Sequence, residues 1–218
     1  AIVDALCRYV IGLTETEADL PSTSPTSTST AAITPSSTST YLPPLPILDQ
    51  IAPFETIRRI IDDWFSLIHS VCPIHHRANF LKRLGNGNLD HDPEFLAVVI
   101  SLCCATVSSL PRKAAIDYPD VTVKRCFEII QYHRLLDNYR SMSLQWCQAK
   151  YHLSTSFMTE ESIISFRLLG EVTTGIKYLV NYELPNMSRL EAELAKRLHC
   201  LILCGLWFVM PTSEIFPY

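Results

Sequence analysis

From Phe54 to Ser70 the chain reads FETIRRIIDDWFSLIHS, with Ile57, Ile60, Ile61, Trp64, Phe65 and Ile68 at intervals of three and four. On a 3.6-residue helix this spacing makes one wide apolar stripe, and no run elsewhere alternates with the period of two that a half-buried strand requires. The same helical pattern returns down the chain. HRANFLKRL aligns Phe80, Leu81 and Leu84, and the Gly- and Asn-rich stretch GNGNLDHD then reads as a loop. Asp92-Pro93-Glu94 supplies an N-cap, a proline at the first helical position and an acid in the first turn, opening a helix that stops at Pro111. A third helix is expected from about Asp120 (Val123, Phe127, Ile130, Leu135), a fourth over MSLQWCQAKYHLSTSF and a fifth over EESIISFRLLGEVTTGIKYLVNY. Ser188 and Glu191 have the capping-box spacing that starts the last helix, RLEAELAKRLHCLILCGLW. The expected fold is all-α, a multi-helix array of sequence-adjacent pairs.

With 48% hydrophobic residues, the 218-residue chain has enough apolar surface for a sizeable core. Pro21–Thr40 is almost wholly Ser, Thr, Pro and Ala, too poor in apolar area to offset its ordering entropy. The expected organisation is an N-terminal segment over 1–20 to which the sequence assigns no structure, a disordered Ser/Thr/Pro linker over 21–47, a helical domain over 48–210 and a tail over 211–218. A net charge of -4 with no long basic run argues against a nucleic-acid surface here. No basic region precedes an apolar stretch as in a secretory leader. The run LHCLILCGLWFVM is shorter than a membrane span needs, and FLAVVISLCCATVSSL is broken by hydroxyl residues, so both read as buried helices.

Seven of the eight cysteines lie in or beside apolar helical patterns, which suggests reduced core thiols rather than a disulfide frame. Cys103-Cys104 are adjacent and face apart. Cys200 and Cys204 share a helical face and in principle a soft ion, but have no second pair at metal spacing. His75 and His76 diverge for the same reason as the adjacent cysteines, and no metal or cofactor is expected in this chain. Cys72 beside His69 or His75 imitates a thiol–base pair, yet it precedes Pro73 and lacks a Gly-rich turn, so no catalysis is expected. Asn186-Met187-Ser188 is formally a glycosylation acceptor, although Ser188 serves better as a cap. Trp64, Phe65, Trp146, Tyr151 and Phe166 fall on apolar faces and are expected in the core, with room for a large pocket between their helices.

Three segments in order resemble the regulatory middle region of fungal zinc-cluster transcription factors: IDDWFSLIHSVCPIHHRANFLKRL, DPEFLAVVISLCCATVSSLP and SFRLLGEVTTGIKYLVNYELPNMSRLEAELAKRLHCLIL. The likeness covers roughly residues 45 to 207. Its signature positions are Trp64, Phe65, His69, Pro73, Ile74, His75, Phe80, Glu191, Glu193, Lys196 and Arg197, all with structural roles. The family's usual proline before the turn is replaced by Ser70-Val71, and its aromatic pair after the basic residues by His199-Cys200. The resemblance implies a nuclear, effector-sensing or autoinhibitory helical domain, with a leaning toward carbon-source regulation. DNA would be reached only through a zinc cluster that this chain lacks. It also implies a small metabolite or co-regulator as partner, a homodimer as an option, no membrane, and a domain of which this chain is one portion. A helical interaction or scaffold protein unrelated to transcription is the alternative, and a secreted Ser/Thr-stalked protein with disulfides a third.

Overall fold

The computed structural model describes residues 46–86, 89–110, 118–137, 142–158 and 160–209, so the expected segment 1–20, the linker up to residue 45 and the tail over 211–218 lie outside the described residues. Within them every regular element is a helix. The seven α-helices are α1 (Phe54–Asp63), α2 (Arg77–Gly85), α3 (Pro93–Ser109), α4 (Val123–Tyr132), α5 (Leu144–Phe157), α6 (Ser162–Tyr178) and α7 (Arg189–Val209). Single 3-10 turns lie at Ile47–Gln50, Leu89–His91 and Leu184–Asn186, the first of them burying Leu48 at the edge of the expected linker.

Local chemistry sets most helix starts. Asp92 accepts from the Phe95 amide at 3.2 Å with Pro93 next in line. Thr122 caps α4 through the Arg125 amide, and Ser143 caps α5 through the Trp146 amide. The capping box of α7 forms in both directions, Ser188 N–H to Glu191 at 3.1 Å and Glu191 N–H to Ser188 Oγ at 3.3 Å. α1 and α6 run on into π-helical turns, Trp64–Ile68 and Leu179–Glu183. The first of these carries the signature aromatics.

α3 is apolar all round, and twelve consecutive residues, Phe95 to Thr106, are buried. A helix with no polar face has to be covered on every side. α5 provides the most extensive cover, and α1 and α4 pack beside it; α6 and α7 pack in turn on α5. Hydroxyls inside this core bond back to helical carbonyls, as in Thr106 to Leu102 at 2.7 Å and Ser156 to His152 at 2.7 Å. α5 and α6 approach closely at Gly175, where a Cβ would stand 2.9 Å from the Trp146 ring. Among the described residues no helix is long and apolar enough to cross a membrane.

Trp64 and Phe65 are buried, at 2% and 8% exposure, at the point where the first π-helical turn meets the core. Replacing either with Ala is expected to lower unfolding free energy by about 3–5 kcal/mol in urea titrations. Unchanged midpoints in both variants would show that the π-helical turn does not dock here.

Candidate functional site

After Ile68 the chain turns on a few backbone bonds, with Val71 and Cys72 N–H both on the Ile68 carbonyl at 3.0 Å. Pro73 offers no N–H and sits at the centre of a tight turn closed by the Ile74 N–H on the Cys72 carbonyl at 2.9 Å. Two side chains then lock the turn from outside: Gln148 of α5 donates to the Ile74 carbonyl at 2.5 Å, and His69 Nε2 to the His75 carbonyl at 2.8 Å. The adjacent histidines diverge. His76 caps α2 by accepting from the Asn79 amide at 3.3 Å, while His75 turns into the core.

There it meets His152 of α5, Nε2 to Nε2 at 2.7 Å. A contact between two imidazole nitrogens requires one to donate and the other to accept, so at least one ring is neutral at that atom. Both rings are buried, and burial presses both toward the neutral form. His152 is held down to about 3, and His75 falls well below its ordinary value through burial and the neighbouring His152 and His69. Trp64 stands edge-on to His152 with ring centres 4.7 Å apart. Its indole N–H and Nδ1 of His152 have no partner among the described residues. Phe80 bridges the signature outward, edge-on to Phe65 at 5.5 Å, to His75 at 5.3 Å and to Phe95 at 5.2 Å.

A cavity of about 320 Å³ opens beside this cluster, among the N-terminal ends of α2, α3, α5 and α7. His75, Phe80 and Gln148 line its inner side, and Glu94, Ser143 and Glu191 line it from the helix starts. Ser143 Oγ donates to Glu94 at 2.5 Å, and Arg83 pairs with Asp92 while lying 4.3 Å over the Phe95 ring. The cavity thus has an aromatic and imidazole wall with hydrogen-bonding groups of both kinds around its mouth. Such a lining suits a small polar ligand or a side chain from a partner.

Trp64, Phe65, His69, Pro73, Ile74, His75 and Phe80 gather in one cluster, and Glu191 joins His75 and Phe80 at the cavity. Glu193, Lys196 and Arg197 do not line it: Lys196 pairs with Glu193 along α7 at 3.0 Å, and Arg197 is half-buried on the same helix. Cys72 bonds to Tyr151, and burial pushes its thiol up to about 12, so it is not the thiolate a nucleophile needs. The described cysteines form no disulfide with one another, and no group of three metal-ligating side chains occurs among the described residues. Asn186 donates to Glu183, and Ser188 is engaged as the cap. Phe166 corrects the expectation of a core position: α6 buries its Ser165, Leu168, Leu169 and Val172 face, which leaves Phe166 55% exposed.

Sequence reasoning did not single out His152 or Gln148. They stand one helical turn apart on α5, and that spacing was the available signal. No protein-family model, no curated protein and no solved structure matches the chain.

In the unfolded chain these histidines titrate near 6.5, whereas the fold holds them neutral to far lower pH. Between those limits the unfolded state binds the extra protons, so stability is complete above about pH 6.5 and is lost as pH falls toward 3. Acidifying from pH 7 to pH 5 is expected to cost about 2 kcal/mol through His152, with His75 acting in the same direction, measured by urea unfolding. His152→Gln should flatten that dependence, and an unaltered pH profile in this variant would contradict the assignment.

Proposed function

We propose that the chain is the regulatory portion of a fungal RNA polymerase II transcription factor of the zinc-cluster class, effector-sensing or autoinhibitory, and not an enzyme. What supports the reading is that the three segments carrying the resemblance, far apart in sequence, line one cavity. His75 and Phe80 come from the first, Phe95 from the second and Glu191 from the third. In this reading the protein works in the nucleus by helix packing and by contact with a small metabolite or a co-regulator. DNA is bound by a separate zinc cluster, and carbon-source genes are the targets.

The second reading is a helical interaction module unrelated to transcription. It is favoured by Ile163 and Phe166, which leave apolar surface exposed on α6 at 84% and 55%. The two readings separate in a reporter assay in yeast. The full chain, inserted between a heterologous DNA-binding domain and an activation domain, is expected to change reporter output by about fivefold or more. An unrelated helical insert of the same length should not. Equal output with both inserts would sink the transcriptional reading.

A further inference from the structure

A second cavity, about 620 Å³, lies between α4, α5 and α6 and shares no lining residue with the first. We propose that it binds a small organic monocarboxylate, with the carboxylate on Lys150 and Arg167 and the apolar body against Trp146 and Phe127.

The charges on its wall point to this ligand class. Lys150 is only 14% exposed, its ammonium 4.4 Å from the centre of the Trp146 ring and paired with Glu171 of α6. Arg167, one turn before Glu171 on α6, shares the same carboxylate through Nε at 3.3 Å. Two cations thus rely on one anion, and among the described residues neither the remaining Lys150 donors nor the Nη groups of Arg167 have another acceptor. The other carboxylate on the wall, Asp137, is held by Arg134 at 2.7 Å. A half-sheltered ammonium on an aromatic face with surplus donors beside it attracts an anion. One carboxylate balances the site, a dianion overshoots it, and an amine meets two cations before it reaches Glu171.

The remaining wall is mostly apolar, with Gln131 and Thr174 as its uncharged polar members. Trp146 is held by its indole N–H on the Leu136 carbonyl at 3.1 Å, and Gly175 lets α6 close against the Cζ3–Cε3 edge of its ring. Arg134 adopts a left-handed backbone (φ 54°) that turns the chain at the end of α4 and brings Leu136 to this edge. The volume lies in the range of small-molecule sites.

This binding claim does not rest on the transcriptional reading and is tested on the purified full chain by calorimetry. Three probes are titrated, 1-naphthylacetate, 4-phenylbutyrate and octanoate, together with the neutral isostere 1-naphthylacetamide. At least one acid is expected to bind, with 1-naphthylacetamide about tenfold weaker than 1-naphthylacetate. Arg167→Gln, at a position 81% exposed and so tolerant of change, should weaken the acids about tenfold with the thermal midpoint retained. Asn79→Ala, on the other cavity, should leave them unchanged. No binding by any acid at about 1 mM, equal binding of acid and amide, or acid affinity indifferent to Arg167→Gln would each overturn the proposal.

Discussion

The structure depends on α3 having no side that water can occupy. A helix whose residues are buried from Phe95 to Thr106 needs neighbours all round, and the order of the chain supplies them. α1 and α4 lie against it, and α5 covers it most extensively. α5 in turn is covered by α6 and α7, so both cavities are consequences of the same wrapping. One forms where the starts of α2, α3, α5 and α7 meet. The other forms where α4 and α6 diverge across α5.

The signature turn is tied into this arrangement by polar contacts placed in an apolar setting. His75 and His152 satisfy each other, Gln148 holds the Ile74 carbonyl, and His69 holds the His75 carbonyl. Each of those groups would be costly to bury alone. Together they fix the direction in which the chain leaves the Trp64–Phe65 π-helical turn, and so they place Phe80 and α2 at the cavity. Two buried polar atoms of this cluster, the indole N–H of Trp64 and Nδ1 of His152, have no hydrogen-bond partner among the described residues.

Much of the fold was legible in the sequence because its signals are local. The stripe of α1, the Asp92-Pro93-Glu94 start of α3 and the Ser188–Glu191 box lie within a few residues of one another and act there. The all-α class follows from such features alone. The site was less legible because its contacts are distant in sequence. His75 and His152 are 77 residues apart, and Lys150 and Glu171 are 21 apart. YHLSTSF also looks half polar on paper, yet Ser154 and Ser156 are buried because their hydroxyls bond to carbonyls of their own helix. Phe166 went the other way. α6 carries apolar residues on more than one face, and packing on α5 decides which of them is covered.

Hydrogen exchange of individual amides tests the wrapping of α3 most directly. If α3 is covered on every side, the amides from Leu96 to Cys104 exchange only through global unfolding, with a free energy equal to that from denaturant titration. The outer helices α2 and α6 should show lower values. Exchange of the α3 amides by a cheaper, local opening, at or below the level of α6, would contradict the account.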